Sequence, residues 1–308
     1  MSTPTPPGAP GNPQRPPEAD AATPATADVV ARLKTALTLA GMRPELHLPA
    51  RTSVDLREKR ILLTGASSGI GEAAAEKLAA EGATLILVAR REDLLAAVVD
   101  RIAAQGGNAI AMPTNLADLH AVDGLVETVG QVDILINNAA RSIRRPLAES
   151  LERWHDVDRT MALNYYAPLR LIRGLAPGMI ERGDGHIINV ATWRVLPEAS
   201  PLFGIYNASK AALSAVSRAI ETEWGDLGVH STTLYYPLVA TPMIAPTREY
   251  DGALSLSPEE AADWMLTAAR TRPVRIAPRK ALTAQILGIV APGQLNAMMK
   301  RQTLQPDF

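Results

Sequence analysis

Short apolar runs alternate with longer segments of helical periodicity along most of this chain. Arg60-Ile61-Leu62-Leu63 leads through a turn into an alanine-rich segment, Glu72 to Glu81, stopped by Gly82. Ala83 to Ala89 reads A-T-L-I-L-V-A, apolar apart from Thr84 and rich in β-branched residues, as a buried parallel strand should be. Asn108–Met112, Val132–Ile136, His186–Val190 and Ser231–Tyr236 repeat the motif, and Asp156–Glu181 and Tyr206–Trp224 carry the 3.6-residue period. Strand alternating with helix predicts an α/β protein with a doubly wound parallel sheet in a single domain over 56–280. Polar residues gather where the strands end, at Asn115-Leu116, Asn137-Asn138-Ala139-Ala140, Ala191-Thr192 and Pro237. Open parallel sheets bind ligands on that side.

The first strand runs into Thr64-Gly65-Ala66-Ser67-Ser68-Gly69-Ile70-Gly71. Strand, glycine turn, then helix is the arrangement a Rossmann-like dinucleotide fold needs. Gly65 permits the turn, Gly69 lets backbone approach a pyrophosphate, and Gly71 allows helix to pack on strand; the helix N-terminus offers N–H donors to phosphate. Where an NAD site usually carries a carboxylate, the second strand ends in Ala89-Arg90-Arg91. Two guanidiniums fit a 2′-phosphate and hence NADP, as NADPH. The competing reading is loop solvation, with Glu92 and Asp93 as local partners.

Tyr206-Asn207-Ala208-Ser209-Lys210 places a phenol and an ammonium four residues apart, on one helical face. The expectation is that Lys210 pulls the tyrosine below its usual pKa of about 10. Such a phenol can exchange a proton with a carbonyl oxygen near neutral pH.

The 308 residues suffice for one large domain with tails, and a net charge of −1 gives no electrostatic case for nucleic acid or an acidic membrane. Absence of cysteine excludes a disulfide scaffold, a thiolate metal site and a covalent cysteine acyl-enzyme. His47, His120, His155, His186 and His230 lack ligand spacing, so no metal is expected. Eight of the 24 prolines fall in residues 1–27, which read as a disordered tail rather than a signal peptide. Residues 28–55 read as a helix and linker, the helix opened by Asp28 and closed by Gly41. Its Val29, Val30, Leu33, Leu37 and Ala40 share a face expected to dock on protein.

No apolar run reaches the 18 or so residues that span a bilayer. The expected location is the cytoplasm. Ser257-Pro258-Glu259-Glu260 predicts a capping box opening a helix to Thr271. The extension 281–308 carries Leu282, Ile286, Leu287, Ile289, Val290, Leu295, Met298 and Met299 around Pro292-Gly293. It can line a tunnel, rest peripherally on a membrane or form ordinary core. Arg144 and Arg145 can meet a CoA phosphate or merely solvate a loop.

T-G-A-S-S-G-I-G at 64–71, N-N-A-A at 137–140 and Y-N-A-S-K at 206–210 resemble the short-chain dehydrogenase/reductase family over residues 56–280. The resemblance implies an NADP-dependent oxidoreductase with Tyr206, Lys210, Thr192 and Asn164 as catalytic residues. Thr192 stands for the family's serine, 14 residues before Tyr206; Asn164 stands for the asparagine that orders a relay water. The implied cofactor residues are Gly65, Ser67, Ser68, Gly69, Ile70, Gly71, Arg90, Arg91, Asn115, Leu116, Asn138, Ala139, Tyr206, Lys210, Pro237, Val239 and Thr241. Ala140 and Asn115 depart from the family's glycine and aspartate, and P-L-V-A-T-P-M at 237–243 lacks its glycine.

R-S-I-R-R-P at 141–146, P-L-V-A-T-P-M-I-A-P-T at 237–247 and L-S-P-E-E-A-A-D at 256–263 resemble the bacterial fatty acyl-CoA reductases that release aldehydes. Against that group's S-S-I-G this chain has Ala191-Thr192-Trp193-Arg194. The implied substrate is a lipophilic carbonyl compound, with fatty acyl-CoA as its finer form. The alternatives are a general ketone or aldehyde reductase and a non-catalytic NADP-binding sensor. The family resemblance also implies a homodimer or tetramer, through the helices at 155–182 and 206–225.

Overall fold

In the computed structural model, residues 24–45, 53–245, 247, 250 and 252–304 are described. The chain divides after Leu39 into two compact units. The described part of the first, residues 24–39, belongs to helix α1, which runs Pro24–Met42. This corrects the expected start at Asp28 and stop at Gly41: a proline is well suited to the first helical turn, and Gly41 is carried inside the helix. Most of the proline-rich tail lies outside the described residues.

The second unit is built on seven strands. β1 (Arg60–Thr64), β2 (Thr84–Ala89), β3 (Asn108–Pro113), β4 (Ile134–Asn137), β5 (Gly185–Thr192), β6 (Val229–Tyr236) and β7 (Arg275–Ile276) pair in the order β3-β2-β1-β4-β5-β6-β7. Every pair is parallel. Six strands were expected from their apolar runs; the two-residue β7 was not, because so short a strand leaves no periodic signal.

Side-chain alternation explains the two layers. Ile61, Leu63, Leu85 and Leu87 point to one face, where helices α2 (Gly69–Ala80), α3 (Glu92–Ala104) and α8 (Pro258–Thr271) supply Leu78, Val98 and Met265. Leu62, Ile86, Val88 and Leu135 point to the other, against Val122 of α4 (Leu119–Val129), Leu171 of α6 (Ala167–Arg182) and Ile220 of α7 (Gly204–Trp224). The central strands β1, β2 and β4 are covered on both faces and are apolar along most of their length. The Ser257 capping box at α8 is present, with Ser257 Oγ accepting from Glu260 N at 3.1 Å and Glu260 Oε2 from Ser257 N at 2.8 Å.

The segment 156–181 is not one regular helix. α5 (Trp154–Met161) passes into a π turn at Ala162–Tyr166 before α6 begins, and Ala167 N reaches back five residues to Ala162 O. Asn164 sits in that wide turn and is fully buried. Such turns recur at functional sites.

The extension after β7 forms α9 (Arg279–Val290) and α10 (Pro292–Leu304), separated at Ala291. Its apolar groups divide: Ala281, Ala284, Leu295 and Met299 are buried, whereas Ile286, Ile289 and Val290 are exposed. Among the described residues no helix is long and apolar enough to cross a membrane.

Candidate active site

The carboxyl ends of β1, β2, β4, β5 and β6 open into one cavity of about 650 Å³. Its floor begins at the glycine loop. A Cβ on Gly71 would lie 2.2 Å from Gly65 O, and one on Gly65 would lie 2.9 Å from Ala139 Cα, so both positions exclude a side chain. Asn138 fastens the loop from behind: its Nδ2 donates to Thr64 O at 3.0 Å and Gly65 O at 3.3 Å. Thr64 Oγ1 accepts from the N–H groups of Asn138 and Ala139 at 2.9 and 3.0 Å. Thr241 packs over Gly69, whose φ of +59° favours glycine.

Arg91 reaches back across this loop, its Nη2 donating to Ser68 Oγ at 3.0 Å and Ser67 Oγ at 3.3 Å. Arg90, Asn115, Leu116, Ile70, Pro237 and Val239 line the same cavity. Asn115 Oδ1 is engaged by Ala117 N at 3.3 Å. The positions expected to hold a dinucleotide therefore border one space, except Gly71, which packs behind the loop against Gly65 and Asn138. The glycine cradle that a Cβ would fill, a helix N-terminus behind it and two guanidiniums beside it suit a phosphorylated dinucleotide.

Thr192, Tyr206 and Lys210 line the cavity beyond the loop. Thr192 closes β5 and is 9% exposed. Its Oγ1 accepts from Arg194 N at 3.5 Å. Burial pushes the Tyr206 phenol up to about 12, and the charge that opposes this is Arg194. Lys210 Nζ instead donates to Val190 O at 2.7 Å, and burial brings its pKa down to about 7. The expectation that Lys210 lowers the tyrosine is thus corrected: desolvation outweighs helical adjacency, and the lysine is turned to a strand carbonyl.

Asn164 does not stand open to the cavity. Its Oδ1 accepts from Arg141 N at 2.8 Å, and its Nδ2 donates to Arg141 O at 2.9 Å and Ser209 Oγ at 3.0 Å. Both amide hydrogens are spent tying the 141–146 loop to α7. Arg145 is likewise committed: with Arg153 and Arg159 it surrounds Asp156, whose side chain is 2% exposed and whose carboxyl those guanidiniums hold well below the usual range. Arg145 therefore holds a loop rather than waiting for a CoA phosphate, whereas Arg144 does line the cavity.

The far wall was anticipated only in part, through Met299 of an extension expected to be able to line a tunnel. Trp193, Arg194, Phe203, Tyr250, Lys280 and Met299 border the cavity alongside Leu163, Met243, Ile244 and Leu254. Trp193 and Arg194 were noticed only as departures from a family pattern. Lys280 gave no signal because it comes from a distant segment, and Phe203 because no motif marks it. Among the described residues no group of three or more His, Asp or Glu could hold a metal ion.

Comparisons with known proteins agree with this geometry. The family model described as short chain dehydrogenase matches residues 59–252. A protein named fatty acyl-CoA reductase from Mycobacterium tuberculosis is 67% identical over 279 residues, covering 87% of this chain and 95% of that protein. Another of that name from Acinetobacter baylyi is 46% identical over 249 residues, covering 80% and 84%. Among solved structures, a 3-oxoacyl (acyl-carrier-protein) reductase from Agrobacterium tumefaciens with NADP bound superposes with a TM-score of 0.66. It is 28% identical, covering 71% of this chain and 90% of that one.

Proposed function

The chain belongs to the short-chain dehydrogenase family, and from that premise we propose that it is an NADPH-dependent reductase of fatty acyl-CoA thioesters, releasing aldehyde. It is an oxidoreductase that uses a nicotinamide cofactor, so the non-catalytic sensor reading is set aside. The observation carrying the proposal is one cavity bordered by a glycine cradle, a buried phenol and an apolar wall. The choice of NADPH over NADH rests on Arg91 lying across Ser67 and Ser68 with Arg90 beside it, and no carboxylate in that position. The choice of substrate is supported by the name of the 67%-identical relative.

When bound, the nicotinamide supplies hydride to the substrate's carbonyl carbon. Thr192 Oγ and the Tyr206 hydroxyl serve the carbonyl oxygen, where negative charge develops. A phenol that keeps its proton up to about 12 is in the form that can lend it to an oxyanion. Lys210, whose ammonium is poised near neutrality, can return a proton to the phenol and hold the cofactor's ribose. Asn164 keeps the loop at Arg141 against α7, and a relay water would use its main chain or the second lone pair of Oδ1. The apolar residues Leu163, Phe203, Met243, Leu254 and Met299 would take an acyl chain. Exposed Leu151, Trp154 and Tyr166 favour a homo-oligomer with a contact at α5 and α6.

A second reading, reduction of aldehydes or ketones without thioester activity, is favoured by Trp193 and Arg194 standing directly after Thr192. The test is a panel of acyl-CoAs, aldehydes and ketones with NADPH, following cofactor oxidation and free thiol together. Long-chain acyl-CoA should release thiol, with affinity climbing by about 0.8 kcal/mol per methylene until the apolar wall is filled. NADPH oxidation with carbonyl compounds and no thiol from any acyl-CoA would leave the second reading.

A further inference from the structure

Two cations face the cavity with no carboxylate partner among the described residues. Arg194 follows Thr192 by two residues, on the short 3-10 turn Trp193–Val195. Its guanidinium carbon lies 5.0 Å from the centre of the Phe203 ring and 5.7 Å from that of Trp193. Phe203 in turn meets the Tyr206 ring edge-on, with centroids 6.3 Å apart. Two aromatic surfaces thus hold the guanidinium beside the catalytic phenol. Arg194 Nη1 is sealed from solvent and has no hydrogen-bond partner among the described residues. From the opposite side, Lys280 at the start of α9 places Nζ 5.1 Å from the Trp193 ring centre.

Neither cation pairs with a carboxylate among the described residues. Burial depresses both, and the charge of Arg194 depresses Lys280 further. The charges felt by Arg194 are the phenols of Tyr250 and Tyr206 and the guanidinium of Arg144. Holding two half-buried cations without counter-ions is costly, and an anion entering the cavity would relieve that cost.

We propose that Arg194 and Lys280 form an anion site on the substrate side of the cavity, and that it receives the thiolate expelled from an acyl-CoA thioester. This rests on the thioester reading above. Hydride from NADPH bonds to the carbonyl carbon while the π pair of the C=O bond moves to oxygen, where Tyr206 lends a proton. As that proton returns to the phenolate, the oxygen pair re-forms the C=O bond and the C–S bond breaks, its electron pair leaving on sulfur. The acyl carbon is reduced to the aldehyde, NADPH is oxidised, and the thiolate takes a proton from water. The oxygen has Thr192 and Tyr206 to serve it; the sulfur has neither. An alkyl thiol ionises only at about 8.5, so its thiolate gains from adjacent cations.

The experiment compares two thioesters of one acyl chain: the CoA ester and the thiophenol ester, whose aryl thiolate leaves unaided. Arg194→Gln should lower kcat on the CoA ester by about 10²-fold, the size expected for one lost charge-stabilising donor, and on the thiophenol ester only a few-fold. Lys280→Gln should show the same selectivity with a smaller loss, and Arg194→Lys should recover part of the rate. NADPH binding by fluorescence and the thermal midpoint, measured on each variant, report whether the fold is intact. Equal kcat losses on both esters would overturn the thiolate site, and so would a loss confined to KM, which would make the pair an anchor for CoA phosphates. Wild-type protein inert toward both thioesters yet active on aldehydes would instead refute the thioester reading itself.

Discussion

The two halves of the cavity are built on opposite principles. On the cofactor side almost every polar group is already engaged: Asn138 holds Thr64 and Gly65, Thr64 Oγ1 accepts two main-chain donors, and Arg91 lies on Ser67 and Ser68. On the substrate side Arg194 and Lys280 stand without counter-ions and Arg194 Nη1 is unpartnered among the described residues. A saturated half is rigid and can receive one ligand shape; an unsatisfied half stores electrostatic potential for charge that appears during reaction. The difference teaches that specificity for cofactor and for substrate are separable here, one a matter of fit and the other of charge.

Tyr206, where the halves meet, should give the largest effect. Tyr206→Phe removes the proton donor alone, and kcat should fall by about 10²- to 10⁴-fold. Fluorescence titration should find NADPH binding nearly unchanged, since the loop's own hydrogen bonds do not involve the phenol. Activity within a few-fold of wild type would break the assignment of the phenol as the acid.

Lys210 comes next and tests the cost of burying a cation beside the cavity. Its folded pKa of about 7 lies below the usual 10.5, so between those values the unfolded chain binds more protons than the folded one. Stability therefore rises with pH across that window, and below about 7 the penalty is present in full. Tyr206, raised from 10 to about 12, acts between those two values, where folding stability falls again. Urea midpoints of Lys210→Met should exceed wild type near neutrality and converge toward 10.5. Parallel pH profiles for the two proteins would show that the lysine is not depressed.

How much of this was legible in the chain follows from which interactions are local. The central strands β1, β2 and β4 were legible because burial on both faces makes them largely apolar, and Ser257 with Glu260 announced α8. The glycine loop and the Tyr206–Lys210 spacing were legible for the same reason, being contained within a few residues. The direction of the tyrosine's pKa was not, because desolvation depends on what packs over it. The π turn at Asn164 left no mark, since no residue type demands it. The cationic wall was hidden most deeply: Arg194 is held by Phe203, nine residues on, and faces Lys280, which an α/β pattern assigns to the edge of the domain.

Arg91→Ala sharpens the cofactor side. Removing a guanidinium that meets a 2′-phosphate should weaken NADPH binding by about 1.5–3 kcal/mol and NADH binding much less. Titrating both cofactors into wild type and variant measures the difference. Equal losses for the two would mean that Arg91 only braces the Ser67–Ser68 turn, and the choice of NADPH would need another source.

Gly71→Ala should give the smallest effect and asks whether the cofactor half is as full as its hydrogen bonds imply. The added carbon would stand 2.2 Å from Gly65 O and 2.7 Å from Asn138 Nδ2, so the loop or α2 must shift. Overpacking of this kind costs about 1–3 kcal/mol. Because the displaced atoms are the cradle itself, dinucleotide affinity should fall along with the thermal midpoint. Gly124→Ala is the matched control: it lies inside α4, its Cβ would meet nothing within 4 Å, and the exchange should stabilise by up to roughly 1 kcal/mol. If both alanines were tolerated alike, with NADPH bound as in wild type, the loop would have slack, and the contrast between a rigid cofactor half and an electrostatically unsatisfied substrate half would lose its first term.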